Sequence, residues 1–267
     1  MNIKKILIVV LLCAVSLATV LSCGSSDKDW EYISSKGEMI IGVTPNPPMN
    51  YQDDSGAWTL GFDTEFALAV CDILGVKAVF QEIDWDAKTT ELNAKNIDAV
   101  WNGMTITEDR AKEMDISTPY MSNSQVLVVR AEDESKYKGL KDFEGVKIVA
   151  EMGSTLEETI KSSDLFKNAD YTGIDHQITG FLEVKSKTTD TTLVDITLAK
   201  ETLKPGGDYD GLVYVEIEEL KEEFGIAFRK NSPETLKKVN DAIKQLKDNG
   251  KLMEFAEKYE LASALIQ

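Results

Sequence analysis

The chain has 267 residues, of which 43% are hydrophobic and 28% are charged, so wholesale disorder is excluded and one large or two ordinary domains can form. The net charge of −17 excludes a protein that grips nucleic acid through its phosphates, because no basic excess exists to displace counterions. A single histidine, His176, lies between Asp175 and Gln177 and argues against a His-rich metal site or a Ser-His-Asp enzyme.

A secretory signal is predicted at the start of the chain. Lys4 and Lys5 precede an apolar run over 6–20, which is the pattern of a charged n-region and an apolar h-region. The run is short for a membrane span, which needs about 20 apolar residues. We therefore predict a signal peptide over 1–22, with an uncleaved anchor helix as the alternative.

The next residues, Val20-Leu21-Ser22-Cys23-Gly24, resemble a bacterial lipoprotein box, in which the cysteine becomes the lipidated first residue. The resemblance implies an extracytoplasmic protein, periplasmic or on the outer cell surface, that is anchored to the membrane by a lipid on Cys23 and a polar tether over 23–37. Cys71 lies in an apolar helical pattern, and we expect it to be a small buried hydrophobic residue without a disulfide partner.

The body of the chain alternates strand and helix signals, which predicts an α/β fold with a mostly parallel sheet and helices on both faces. Open sheets of this kind bind ligands beyond the carboxyl ends of their strands. Strands are predicted at 39–43, 76–83, 99–101, 125–129, 147–150, 191–194, 212–215 and 225–228, and helices at 63–74, at 85–93, after 153–155, from 196 and from 233.

Arg110 is the first candidate binding residue. It is one of three arginines among 29 basic residues, and it follows Thr105 by five residues at a strand-to-helix junction. An arginine there suggests a two-pronged grip on a carboxylate. The alternative is a surface ion pair with Glu108 or Glu113, which would contribute little.

Two further strand ends carry candidate polar contacts. Gly153-Ser154-Thr155 opens a helix whose free N–H groups suit an anion, although Ser154 and Glu157 are also spaced as a capping box. Asp195 ends an apolar strand and could hold an ammonium group, or it could cap the next helix.

Trp85 stands at another strand-to-helix junction, where its ring could cover a ligand side chain or could belong to the core. Together these candidates comprise a carboxylate clamp, an anion-binding helix start, an ammonium acceptor and an aromatic wall. That set complements a free α-amino acid, whose two charged ends both need charge-assisted partners when they leave water.

Several blocks of sequence resemble, in order, the bacterial extracellular solute-binding proteins that serve polar amino-acid ABC transporters. These blocks cover nearly the whole chain after the signal. They are Gly61-Phe62-Asp63-Thr64-Glu65-Phe66-Ala67-Leu68-Ala69-Val70-Cys71, Gly103-Met104-Thr105-Ile106-Thr107 with Arg110, Ser117-Thr118-Pro119-Tyr120, the segment 183–195, and Ala256-Glu257-Lys258-Tyr259.

The resemblance implies a two-lobed type II periplasmic-binding-protein fold, in which each lobe is a mostly parallel sheet flanked by helices and two hinge strands join the lobes. The first lobe would span 38–124 plus 226–267, and the second 125–225. A monomer without metal or cofactor would enclose a free amino acid between the lobes and deliver it to an ABC permease with its ATPase.

The resemblance also implies a role for each site residue. Arg110 would bind the α-carboxylate with the amides of Gly153, Ser154 and Thr155. The ammonium group would go to Asp195, Thr105 and the Gly103 carbonyl, while Trp85 would contact the side chain and Asn102 would flank it.

One loop departs from the family pattern. The segment Thr44-Pro45-Asn46-Pro47-Pro48-Met49 is one residue shorter than usual and lacks the aromatic and the acid that several members have there. We expect Asn46 to substitute for them, and the missing acid weakens the case for lysine, arginine or ornithine as ligand.

Two other functions stay open besides amino-acid capture. An exported dehydratase on the same scaffold would need a carboxylic acid to protonate a leaving group, and Glu151 is the candidate. A sensor that reports its occupancy to a membrane partner is the second alternative. The clamp for an intact amino acid favours a binding protein over an enzyme.

Overall fold

The computed structural model describes residues 28–139, 141 and 143–267. The signal peptide predicted at 1–22 and the lipidated Cys23 lie outside these residues. In the part of the chain that the structure describes, no helix combines the length and apolar composition that crossing a membrane requires.

The helices are α1 Lys28–Lys36, α2 Phe62–Leu74, α3 Lys88–Asn93, α4 Glu108–Glu113, α5 Glu134–Tyr137, α6 Thr155–Ser162, α7 Gln177–Lys185, α8 Ile196–Thr202, α9 Pro233–Asp248 and α10 Lys251–Lys258, with 3-10 turns at Trp85–Ala87, Ala131–Asp133 and Ala262–Ala264. The strands are β1 Glu38–Val43, β2 Tyr51–Gln52, β3 Trp58–Leu60, β4 Lys77–Glu82, β5 Ala99–Thr105, β6 Met114–Ile116, β7 Met121–Arg130, β8 Lys147–Glu151, β9 Asp170–Ile174, β10 Thr191–Asp195 and β11 Leu212–Arg229.

The main sheet runs through the whole described molecule in the order β4-β1-β5-β11-β7-β10-β8-β9, and β6 pairs with β11. Strands β4, β1 and β5 are parallel at one end, and β10, β8 and β9 are parallel at the other. The central pairs, β5 with β11, β11 with β7 and β7 with β10, are antiparallel. Each outer half of the sheet is therefore parallel, as predicted, whereas the two central strands, β11 and β7, run antiparallel to their neighbours.

Strand β11 is longer than the sequence pattern suggests. The strands predicted at 212–215 and 225–228 are the two ends of one 18-residue strand. Its first part pairs with the end of β7, its middle pairs with the beginning of β7, and its last part pairs with β5. Because β7 and β11 run from one half of the sheet to the other, they join the two halves as a pair of hinge strands.

Each half of the sheet has its own core, and the two halves are the two lobes. The first lobe contains β4, β1 and β5, and Phe66 packs edge-on against Trp101 with ring centroids 4.9 Å apart. The second lobe contains β10, β8 and β9, where Phe143 packs on Phe166. The exact lobe boundaries, 38–124 plus 226–267 and 125–225, stay a prediction.

Helix α2 forms where the apolar stripe predicts it. Phe66, Val70 and Cys71 are buried against the first-lobe core, and Gly75 ends the helix in a left-handed conformation with φ 70°. Burial raises the pKa of the Cys71 thiol to about 12, so the thiol stays protonated at neutral pH. The prediction that Cys71 is a small buried hydrophobic residue is confirmed.

The segment before β1 differs from the predicted tether over 23–37, because residues 28–36 form helix α1. Ile33 is buried in the first-lobe core. Asp29 accepts a hydrogen bond from Arg229 Nε at 2.5 Å, and Arg229 Nη2 donates to Asp98 Oδ1 at 2.7 Å. The ion pair with Arg229, 200 residues away in the sequence, thus holds helix α1 in place, although the polar composition of this segment does not predict a helix.

We expect Asp29→Asn to lower the free energy of unfolding by about 1.5–3 kcal/mol, because a charge-assisted hydrogen bond in a buried setting is lost. Urea unfolding followed by circular dichroism measures the change. The matched control is Asp241→Asn, whose carboxylate pairs with Lys237 on the exposed face of α9 and should change stability by less than about 0.5 kcal/mol. Equal effects of the two substitutions would contradict a stabilising role for the α1 attachment.

Candidate functional site

A cavity lies between the lobes, beyond the carboxyl ends of β5, β8 and β10. Every ligand-binding residue predicted from the sequence lines it except Gly153, whose carbonyl oxygen accepts from Arg110. The first lobe supplies Asn46, Trp85, Asn102, Gly103, Thr105 and Arg110, and the second supplies Glu151, Ser154, Thr155, Leu156, Gln177 and Asp195. The structure thus brings the predicted residues together, while their roles toward a ligand stay predictions.

Arg110 is buried in the first turn of α4, which begins at the N-cap Thr107. Its Nη1 donates to the Thr105 carbonyl at 2.9 Å, and its Nη2 donates to the Gly153 carbonyl at 3.3 Å. The alternative ion pair with Glu108 or Glu113 does not form among the described residues. Since a guanidinium has five N–H donors, these two bonds leave three donors for other acceptors.

Burial lowers the pKa of the Arg110 guanidinium, and nearby acids, Glu158, Glu222 and Asp195 among them, oppose that shift. An arginine in this setting remains charged at any physiological pH. The cavity therefore presents a permanent positive charge on its first-lobe side.

Asp195 is fully buried at the end of β10, on the second-lobe side. It stands at the N-cap position of α8, yet its carboxylate makes no capping hydrogen bond. Instead it accepts from Asn123 Nδ2 at 2.6 Å and from Gln177 Nε2 at 2.7 Å. Burial, followed by repulsion from Glu222, raises the pKa of the Asp195 carboxyl to about 7.

Glu222 belongs to this charged group, and no sequence signal singled it out. It lies on the hinge strand β11 and accepts from Gln125 Nε2 at 2.6 Å, from Asn123 Nδ2 at 3.1 Å and from Thr105 Oγ1 at 3.1 Å. In the sequence it stands between Lys221 and Glu223 and looks like one more surface charge. Only the strand pairing turns it toward Asp195.

Asn102 and Asn46 form part of the cavity floor. The side chain of Asn102 is used in full: it accepts from Thr44 Oγ1 at 2.7 Å and donates to the Thr44 carbonyl and to Asn50 Oδ1. These bonds hold the proline-rich loop after β1 in place. Asn46 is buried, and its Oδ1 has no hydrogen-bond partner among the described residues.

Gly103 lies at the end of β5 in a left-handed conformation, φ 60°, that a side chain would strain. Its N–H donates to Asp63 Oδ2 at 2.7 Å, and Asp63 also accepts from the Tyr120 hydroxyl at 2.8 Å. Burial raises the pKa of the Asp63 carboxyl to about 7. Asp63 therefore fixes the strand end from which Asn102, Gly103 and Thr105 meet the cavity.

The predicted N-cap at the start of α6 forms, but the return bond from Glu157 goes to Gly153 and not to the N-cap Ser154. Ser154 Oγ accepts from the Glu157 N–H at 3.2 Å, and Glu157 Oε2 accepts from the Gly153 N–H at 2.9 Å. The Gly153 amide is thus already bonded within its own lobe. The amides that begin α6 at Thr155 keep the acceptor-free geometry of a helix start.

Gly153 also lies against the first lobe. A Cβ added to Gly153 would lie 2.5 Å from Asp86 Cα in the first lobe. Lys88 Nζ donates to the Gly153 carbonyl at 2.7 Å and to the Trp85 carbonyl at 3.0 Å. Burial lowers the pKa of the Lys88 ammonium to about 8. Sequence analysis missed Lys88, which looks like an ordinary helix-surface lysine.

Trp85 has both of the functions considered for it. The residue is 6% exposed and packs in a first-lobe core cluster with Ile83, Leu92 and Ile97, and it also lines the cavity. Core packing holds the indole ring in one orientation, so the ring forms a rigid part of the cavity wall.

Glu151 ends β8 in the second-lobe wall and is 4% exposed. Burial, followed by repulsion from Asp195, raises the pKa of its carboxyl to about 8, although hydrogen bonds from Gln177 oppose the shift. His176 Nδ1 lies 4.0 Å from Glu151 Oε1. Within the part of the chain described, the cavity thus holds a guanidinium from one lobe and two carboxyl groups from the other.

The sequence profile of the bacterial extracellular solute-binding proteins, family 3, matches residues 39–262. The L-cystine-binding protein TcyJ of Escherichia coli strain K12 is 31% identical over 228 residues, 85% of this chain and 84% of that protein. The arginine-binding extracellular protein ArtP of Bacillus subtilis strain 168 is 30% identical over 262 residues, 96% of this chain and 98% of that protein.

A solved structure shares the two-lobed architecture. The crystal structure of the ancestral amino acid-binding protein AncCDT-1, a precursor of cyclohexadienyl dehydratase, superimposes with a TM-score of 0.78. The two chains are 30% identical, and the match covers 86% of this chain and 98% of the other.

Proposed function

Because this chain belongs to the bacterial extracellular solute-binding proteins, family 3, we propose that it captures a free amino acid between its lobes and delivers it to the permease of an ABC importer. The observation that carries this proposal is the placement of Arg110 and Asp195. One comes from each lobe, both are buried, and both line the same cavity. A zwitterion that bridges them satisfies two desolvated charges at once. The similarity to proteins named for binding cystine and arginine supports the same function.

In the proposed complex the two ends of the amino acid bind to different lobes. Arg110, with the first amides of α6, holds the α-carboxylate. Asp195 holds the α-ammonium group. The other predicted contacts are Thr105 and the Gly103 carbonyl at the ammonium group, Ser154 and Thr155 at the carboxylate, and Trp85, Asn102 and Asn46 at the side chain. The amide of Gly153, also expected at the carboxylate, donates to Glu157 instead.

The amino acid acts by shifting the lobes toward the closed form. The closed form alone places Arg110 and Asp195 around one ligand, so the ligand favours it by the difference between its affinities for the two forms. The carbonyl of Gly153 takes part directly, since it accepts from Arg110 and Lys88 of the other lobe. The hinge strands β7 and β11 absorb the motion. The closed protein then docks on the permease, which works with its ATPase.

The family is extracellular, which places this chain outside the cytoplasm. We propose that a lipid on Cys23 anchors it to the membrane as a monomer. Metabolic labelling with a fatty-acid analogue tests the anchor, with Cys23→Ser as the variant that should lose the label and appear in the soluble fraction.

Two measurements test amino-acid capture. Mass spectrometry of the denatured purified protein identifies a ligand that co-purifies with it. Calorimetric titration of refolded, ligand-free protein with each common amino acid measures affinity. We expect at least one amino acid to bind with a dissociation constant in the micromolar range, about −8 kcal/mol. A correctly folded protein that binds none of them would overturn the proposal.

One observation supports the dehydratase alternative. Glu151 lines the cavity, and its raised pKa keeps it protonated at neutral pH, as a general acid requires. Incubation with prephenate or arogenate decides between the two functions. Formation of the aromatic product by the wild-type protein, and its loss in Glu151→Gln, would favour the enzyme.

We expect the affinity for alanine to rise with pH up to about pH 7 and then to level off. The ammonium group needs an ionised Asp195, whose pKa in the closed protein is raised to about 7. Below that value binding must release a proton, so affinity falls by up to about tenfold per pH unit. Titrations from pH 5.5 to 8 measure this slope.

Glu151→Gln provides the control for the pH dependence. Glu151 stays protonated below about pH 8, so the amide leaves the charge of the cavity unchanged in this range, and alanine should show the same slope. An affinity that does not change between pH 5.5 and 7 would contradict the role assigned to Asp195.

A further inference from the structure

On the basis of the proposed function, we infer that the ligand carries a cationic side chain and that Glu151 is the residue that selects for it. The inference begins with the charges of the cavity wall. Among the described lining residues, the ionisable side chains are Arg110, Asp195 and Glu151. The α-carboxylate uses the first and the α-ammonium group uses the second. Glu151 is therefore the acid that remains for the ligand's side chain.

Lys88 and His176 approach Glu151, but neither donates a hydrogen bond to its carboxyl. Lys88 contributes a favourable field, but its ammonium donates to the carbonyls of Trp85 and Gly153. The nearest ring nitrogen of His176 is 4.0 Å from the carboxyl. In the described part of the chain, then, Glu151 has hydrogen bonds from the neutral Gln177 and no cation within hydrogen-bond distance. A ligand cation would supply the missing partner.

The opposite wall of the cavity also presents an acceptor. Asn46 is 4% exposed, and its Oδ1 has no partner among the residues described. Asn46 belongs to the first lobe and Glu151 to the second, so one donor-bearing side chain that contacts both also holds the lobes together. An apolar side chain would leave both acceptors buried without a donor from the ligand.

Trp85 adds a surface that suits a cation. Its ring lines the cavity and already has the Lys88 ammonium 5.0 Å from its centroid. Aromatic faces attract ammonium and guanidinium groups. An anionic side chain would meet the opposite conditions, because Glu151 and Asp195 are close enough for each to raise the energy of a further negative charge.

This inference differs from the expectation drawn from the loop 44–49. Judged from the sequence alone, the lack of an acid in that loop weakens the case for lysine, arginine or ornithine as the ligand. The structure places an acid in the same cavity from the other lobe, at the end of β8. The charge that a basic side chain needs can therefore come from Glu151, whose carboxyl releases its proton when a ligand cation binds beside it, because a positive neighbour favours the ionised form.

The test compares ligands that differ in side-chain charge but hardly in shape. Calorimetric titrations measure arginine against citrulline and ornithine against norleucine. We expect the wild-type protein to prefer the cationic member of at least one pair by about tenfold or more. In Glu151→Gln that preference should fall by about tenfold, while the affinity for alanine changes less than about threefold.

Glu158→Gln is the matched control, because it removes one negative charge from an exposed position on α6 that also acts electrostatically on Arg110. It should leave the ratio of arginine to citrulline affinity unchanged. Unfolding in urea shows whether each variant is folded. If Glu151→Gln does not fold, the ratios of cationic to neutral ligand affinity in the wild-type protein still test whether the ligand's side chain is cationic.

Three results would each contradict a different part of the inference, and they can be told apart. Equal affinity for the charged and neutral members of both pairs overturns the cationic side chain. A preference that survives in Glu151→Gln overturns the role of Glu151. Failure to bind any amino acid overturns the proposed function itself.

Discussion

Replacing Arg110 by alanine is expected to weaken the binding of alanine and of arginine at least about 100-fold, because it removes the positive partner of the α-carboxylate from a buried site. The bound carboxylate would then be desolvated without a counter-charge. The same substitution also removes the donors to the carbonyls of Thr105 and Gly153, so the closed form loses a contact between lobes. Calorimetric titration of both amino acids measures the loss.

Two variants separate the clamp from general effects on the fold. Arg110→Lys keeps the charge but not the planar fork, and we expect an intermediate loss because one ammonium cannot reproduce the paired geometry. Asp109→Asn changes a neighbouring exposed residue and should have little effect. Unchanged affinity in a folded Arg110→Ala protein would remove the basis for assigning this residue to the carboxylate.

Gly153→Ala is expected to lower the affinity for every amino acid about 10- to 100-fold by preventing full closure. The added Cβ would lie 2.5 Å from Asp86 Cα and 3.1 Å from its amide nitrogen, and backbone cannot move aside as a flexible side chain can. The carbonyl of Gly153 also accepts from Lys88 and Arg110, so displacing it weakens both bonds. The loss should be similar for alanine and arginine, since closure is common to both.

Gly145→Ala is a suitable control in the same lobe. Gly145 has φ 71°, close to the 69° of Gly153, but its Cβ would meet nothing within 4 Å. Both variants therefore carry the strain of a left-handed alanine, about 1–2 kcal/mol, and only Gly153→Ala adds the overlap between lobes. Small-angle X-ray scattering with saturating arginine should show a larger radius of gyration for Gly153→Ala than for Gly145→Ala. Equal radii and equal affinities would show that this contact does not limit closure.

Much of the candidate site could be predicted because its residues follow strand ends. Arg110 and Asp195 were found from their positions after β5 and β10, and the carboxyl ends of parallel strands converge in an open sheet. Ser154 caps α6 by accepting from the Glu157 N–H, as the spacing predicts, because this bond depends only on residues three apart. These signals are local, and local spacing is readable in one sequence.

The residues that hold the clamp in place could not be found in the same way. Asn123 and Gln177 orient the Asp195 carboxylate from positions 72 and 18 residues away. Glu222 enters the charged group only because β11 pairs with β7 in a particular register. Each is a common polar residue among others in the sequence, so nothing in its own neighbourhood distinguishes it from a solvated one.

The sequence by itself determined the alternating α/β elements, the buried Cys71 and the strand-end positions of Arg110 and Asp195, because periodicity, caps and strand ends are set by neighbours along the chain. Tertiary structure alone decided that 28–36 is a helix, that β11 is one continuous hinge strand, and that the charges of Glu151 and Lys88 interact at the gap between lobes. Those outcomes depend on partners from distant segments, such as Arg229 for Asp29. The free energy of burying and pairing such groups is gained only when the whole sheet has assembled, so it leaves no local pattern.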